Sequence, residues 1–129
     1  MNNITTIIES FERKRFTGAV SCAVIEKAEK ELSLLFSPEY KEVIHKYGFL
    51  CIKGEEFLGI DTENFDVVKA TQKTRNASEG FPHDMYVIEK MAIDGILLLQ
   101  KETGEIYTYQ PNLPLRKVAD SFAEYLLAL

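Results

Sequence analysis

Few residues in this chain have the types needed for chemistry, and they are scattered. There are two histidines, His45 and His83, and two cysteines, Cys22 and Cys51. A Cys–His nucleophile pair has to meet in space and not in sequence, so spacing alone leaves that chemistry open. No nucleophile elbow, no phosphate-cradling glycine loop and no metal-spaced His/Cys set accompanies them. His45 falls beside Lys46 in a helical pattern, where an imidazole suits the negative end of a helix dipole. His83 stands in Phe81-Pro82-His83-Asp84, a loop at a strand start in which Asp84 is placed to orient it. Asp61-Thr62-Glu63-Asn64-Phe65-Asp66 is rich in oxygen ligands, but it lacks the glycine and the distal glutamate that a calcium loop requires. The expectation is a non-enzyme with no metal and no cofactor.

The cysteines are too few for a disulfide framework and have no zinc-knuckle partners. Both read as small core hydrophobes kept as thiols in a reducing compartment. The net charge of −5 disfavours generic attraction to a nucleic-acid backbone or an anionic membrane. Arg13-Lys14-Arg15 reads as a solvated basic loop. The apolar residues of the N-terminal stretch are spaced, unlike a signal peptide, and no window is long enough to span a bilayer. The expected compartment is the cytoplasm. At 129 residues the chain is expected to form one domain over 1–129, since smaller pieces would bury too little core.

Charge is unevenly placed. Residues 31–66 carry eight acidic and three basic side chains, a local balance equal to that of the whole chain. Within it Glu55, Glu56, Asp61, Glu63 and Asp66 follow one another without a base between them. Two uses are open. A solvated strand edge studded with acids deters sheet-to-sheet aggregation, and an acidic patch steers and docks a basic partner.

The elements that must position these groups are legible in part. Ile4, Ile7, Ile8 and Phe11 space a short amphipathic helix over 3–12. Ser21 caps a second helix with a stripe of Val24 or Ile25, Ala28, Leu32 and Leu35. Ser37 caps a third, Pro38 to Tyr47, with Pro38 at its first position, Glu39 at the positive end of its dipole and Gly48 closing it. Lys53-Gly54 joins Phe49–Ile52 to Glu56–Ile60 as a tight hairpin. Residues 66–76 pattern as a helix with Val67, Val68 and Thr71 inward. Strands follow at Met85–Ile93, Ile96–Lys101 and Glu105–Gln110, joined by Asp94-Gly95 and Thr103-Gly104, with Ile96, Leu98 and either Ile106 or Tyr107 facing a core. Pro111 and Pro114 end the sheet run. Val118, Phe122, Tyr125 and Leu126 then space a terminal helix.

Ala28-Glu29 followed by Leu32, then Ser37-Pro38-Glu39-Tyr40-Lys41, then Tyr47-Gly48, resembles the SUKH superfamily, the Smi/Knr-type domain. Asp94-Gly95, the Thr103–Tyr107 turn and strand and the closing Ser121–Leu126 helix extend the likeness over nearly the whole chain. There are two departures. Ser37 stands where leucine commonly precedes the proline, and the chain has no tryptophan, with Phe49 and Phe57 placed to fill that space. The resemblance implies an α+β fold, with a curved, mainly antiparallel sheet packed against N-terminal and C-terminal helices. It also implies one of two non-catalytic roles. The first is an immunity-type protein that binds and neutralises a cognate toxin, often a nuclease. The second is a regulatory or scaffold domain of the Smi/Knr cell-wall and signalling type. A nuclease needs a cationic groove for phosphate, so Glu55, Glu56, Asp61, Glu63 and Asp66 become the candidate partner surface, with a basic protein toxin as partner, no nucleic acid, and a monomer or weak homodimer as the working form.

Overall fold

The computed structural model describes residues 3–60, 64–91 and 95–129. Asp61, Glu63 and the Asp94 half of the second hairpin turn lie outside them. Three helices come first in the fold's logic. Helix α1 (Ile4–Glu9) starts at Asn3, whose side chain accepts from the Thr5 N–H. Helix α2 (Cys22–Leu32) starts at Ser21, which accepts from Val24. Helix α3 (Pro38–Tyr47) starts at Ser37, which accepts from Tyr40 at 3.1 Å. Each cap satisfies an N–H that the helix leaves without an internal partner. The expected inward stripe of α2 holds at Ile25, Ala28 and Leu32, but Leu35 lies beyond the helix end and is exposed.

Strand β1 (Lys14–Phe16) pairs antiparallel with β2 (Leu50–Ile52), which pairs with β3 (Glu55–Phe57). The basic run thus forms an edge strand where a loop was expected. Lys53 and Gly54 turn the hairpin with φ of 50° and 78°, the left-handed pair that matches strand twist. Helix α4 (Val67–Ala77) follows, burying Val67, Val68, Ala70 and Thr71 as its pattern requires. Strands β4 (Met85–Lys90), β5 (Leu97–Lys101), β6 (Ile106–Tyr109) and β7 (Arg116–Ala119) make a second antiparallel sheet in chain order, and α5 (Phe122–Leu127) closes the chain. Leu98 and Ile106 are buried as expected, whereas Ile96 and Tyr107 are only half-buried.

The terminal region corrects the sequence reading. Pro111 and Pro114 do not end the sheet. The chain turns there, at an Asn112 with φ of 68°, and returns as β7. Val118 therefore lies on a strand, exposed, and α5 begins only after Ser121, which accepts from Glu124. Its buried face is Phe122, Ala123 and Leu126.

The α+β architecture is thus built on two antiparallel sheets, which meet at the outer edge of β3. A bulge in β4 between Val87 and Glu89 leaves Ile88 unpaired with β5, and the Ile88 carbonyl instead accepts the Leu58 N–H at 2.8 Å. Bulges commonly bend a strand and re-aim its side chains. Beneath this seam lie Phe36, Tyr40, Tyr86, Phe57 and Phe122, all fully buried and in edge-on or tilted ring contacts. Their hydroxyls are satisfied: Tyr40 donates to the Leu58 carbonyl at 2.6 Å and Tyr86 to Gln100 at 2.9 Å. Burial pushes both phenols well above their ordinary range.

Candidate protein-interaction site

Side-chain alternation along β3 divides the acidic run. Glu55 and Phe57 share one face and Glu56 takes the other. Phe57 is fully buried, so Glu55 enters the rim of the core, half-buried, while Glu56 is exposed. Glu56 stands in register with Cys51 and, beyond it, Arg15, across the outer face of the first sheet. Asp66 has another job. It is 8% exposed, and its carboxylate accepts from Val68 at 2.8 Å and Lys69 at 3.1 Å as the cap of α4. It borders a cleft of about 300 Å³ between α2 and α4, lined also by Lys27, Glu31 and Lys69, which contains neither Glu55 nor Glu56. Of the five candidate surface residues, then, Glu55 and Glu56 are adjacent on opposite faces of one strand, Asp66 is a helix cap, and Asp61 and Glu63 fall outside the described residues.

A sixth acid, which the charge count did not single out, completes the site. Glu89 on β4 is 4% exposed, and its Oε2 accepts the Glu56 N–H at 3.2 Å. That N–H points outward from the β2–β3 ladder, so the carboxyl stands in for a backbone partner where the two sheets diverge. The Glu89 carboxyl is also hydrogen-bonded to that of Glu55, which accepts the Tyr125 hydroxyl of α5 at 2.6 Å. Glu89 Oε1 has no donor among the described residues. Two carboxyls in contact share a proton, because two adjacent buried charges repel. Burial, the hydrogen bond to Glu55 and the Glu55 charge push Glu89 up to about 8. Burial and the Glu55 contact likewise raise the Tyr125 phenol far above its usual value.

Among the described residues the ion pairs join Lys14 to Glu9, Lys41 to Glu29 and Lys117 to Asp120. Glu55, Glu56 and Glu89 take part in none. The signal in the sequence was the lone acid inside Met85-Tyr86-Val87-Ile88-Glu89, an otherwise apolar strand.

The residues considered for catalysis are arranged differently from expectation. Cys22 is exposed at the first turn of α2 and Cys51 is half-buried, so neither is the core hydrophobe expected, although both are free thiols. The fold does bring Cys22 Sγ within 3.9 Å of His45 Nδ1. That nitrogen lies 2.9 Å from the Val20 carbonyl, so it carries a hydrogen and donates it there. An Nδ1–H is not a base for the neighbouring thiol. The His83 ring is exposed, and that residue is held through its carbonyl, which accepts from Arg75 at 3.0 Å. Among the described residues no group of His, Cys, Asp and Glu is placed to hold a metal ion, and no described helix is long and apolar enough to cross a membrane.

The arrangement is two short sheets joined at an acidic seam, with helices covering the core beneath. The family model SUKH_5, described as SMI1-KNR4 cell-wall, matches residues 4–129. The chain belongs to this SUKH family. A search of curated proteins gives no match.

Proposed function

We propose that the protein is a non-enzymatic immunity-type partner that binds a cognate toxin domain, a nuclease with a cationic groove, and neutralises it in the producing cell. The observation that carries this reading is the acidity of β3 and its β4 neighbour, where Glu56 on the outer face and Glu55 and Glu89 on the inner one have no ion-pair partner among the described residues. A net acidic surface attracts a basic protein over a Debye length and repels acidic ones. Glu56, exposed on β3, is the group that meets the partner first, and Asp61 and Glu63, four residues or more along the chain, extend the same charge run. Asp66 contributes by fixing α4.

Affinity capture of the tagged chain from its host tests this. The expected result is one basic protein in stoichiometric amount, retained in moderate salt and released in high salt. A spread of weak partners overturns the immunity reading in favour of the regulatory scaffold, the role that the cell-wall wording of the family description supports.

A further inference from the structure

We propose that the outer edge of β1 is a docking strand for an extended acidic segment of a second partner protein, one with carboxylates and apolar side chains at alternate positions. The inference goes beyond the seam reading, because it uses the opposite edge of the first sheet.

Three observations lead to it. The first is the hydrogen-bond phase of β1. The Thr17 N–H donates to the Phe49 carbonyl at 3.2 Å, and bonded and non-bonded pairs alternate along an antiparallel ladder. Arg15 therefore exchanges its backbone bonds with Cys51, and the N–H and C=O of Lys14 and Phe16 point away from β2. No described strand lies on that side, and these N–H groups have no backbone partner among the described residues. The second observation is charge. A groove of about 470 Å³ against the strand is lined by Arg13, Lys14, Arg15 and Lys53, with one acid, Glu12. Lys14 is paired with Glu9 and Lys53 lies over the Phe11 ring. Arg13 and Arg15 are exposed and take part in no ion pair among the described residues. The third is Phe16, which is 50% exposed although its ring meets Tyr47 edge-on.

Two backbone donors and two acceptors aimed outward at i and i+2 are what an added strand pairs with. Alternation then decides which strand fits. On the outer face of the sheet the incoming side chains lie beside Arg15 and its basic groove, and on the inner face beside Phe16. Carboxylates suit the first and an apolar side chain the second. A second copy of β1 does not fit, because its cations would face their own kind across the pair, the arrangement by which edge lysines deter self-association.

The test uses the full chain, isotope-labelled for NMR, and the capped pentapeptide glutamate-valine-glutamate-valine-glutamate. The control is the same peptide with lysine for glutamate. At about 5 mM acidic peptide, hydrogen exchange at the Lys14 and Phe16 amides is expected to slow by about threefold. Exchange at Arg15, already bonded to β2, should not change. The lysine peptide should leave all three as they are, and R13E/R15E should weaken binding of the acidic peptide about tenfold. Unchanged exchange at Lys14 and Phe16, or equal slowing by both peptides, overturns the proposal. Slowing by added protein without peptide also overturns it, since the edge would then belong to a second copy. Capture of a basic protein at the seam does not enter this readout, so either reading can fail alone.

Discussion

Glu39 and Phe122 tie the two ends of the helical layer together: the Glu39 carboxylate, in the first turn of α3, accepts the Phe122 N–H at 3.0 Å and the Ala123 N–H at 3.3 Å. One side chain thus serves two helix N-termini, its own through the dipole and that of α5 through direct bonds. Because α5 carries Tyr125 to Glu55, this tether also positions one wall of the acidic seam.

Replacing Glu39 by alanine is expected to cost about 1–2 kcal/mol, the range for losing a helix cap and its charge-assisted bonds. Hydrogen exchange at Phe122 and Ala123 should accelerate more than exchange in β5. Uniform acceleration across the chain would place the effect elsewhere.

Glu89 makes stability depend on pH in a defined direction. Burial and the neighbouring Glu55 push its carboxyl up to about 8 in the folded protein, from an ordinary value of 4.5. The folded state therefore binds more protons between these values, and stability falls as pH rises through that window. E89Q removes the titration while keeping an oxygen to accept the Glu56 N–H. Thermal melts should show E89Q gaining on the wild type steadily from pH 5 to pH 8 or so. A difference that does not change with pH would contradict the assignment.

Tyr125→Phe deletes the hydroxyl that Glu55 accepts and leaves the ring against Phe57. A loss of about 1–2 kcal/mol in denaturant unfolding is expected, as for a partly buried hydrogen bond to a charged group. An unchanged midpoint would mean that water replaces the hydroxyl at no cost.

Two glycines with positive φ should respond differently to alanine. At Gly48, φ is 72° and a Cβ would meet the Gly18 carbonyl oxygen at 2.5 Å and Thr17 Oγ1 at 2.6 Å. At Gly54, φ is 78° and the space is open. G54A should cost about 1 kcal/mol from backbone strain alone, and G48A distinctly more, because backbone must move. Equal losses would show that strain, not contact, governs both.

Helix starts were the most legible features, because Ser21, Ser37-Pro38 and the Val67–Thr71 spacing act locally and need no tertiary knowledge. The end of α3 shows the same reading reaching its limit. Gly48 does have positive φ, but its ψ of −124° sends the chain away from a left-handed cap to pass close to Gly18. Strand β7 was missed because Val118, Phe122 and Tyr125 fall by chance at helical spacing, and a proline-flanked turn hides a returning edge strand. Strand β1 was missed because its three residues are mostly polar and solvent-facing, and only β2 makes them a strand. The candidate site was half legible. Counting charge along the chain found Glu55 and Glu56, but not that alternation sends them to opposite faces or that Asp66 is turned inward as a cap. Glu89 is contributed by a bulged strand more than thirty residues away, a pairing that only the fold creates.

Docking of a basic protein at the acidic seam is measured most directly by the association rate of the captured partner. Wild type and E56K would be compared across a range of salt concentrations. Association of E56K is expected to be several-fold slower at low salt, with a shallower dependence on salt, since a steering charge has been reversed. Identical rates and identical salt slopes for the two proteins would contradict it.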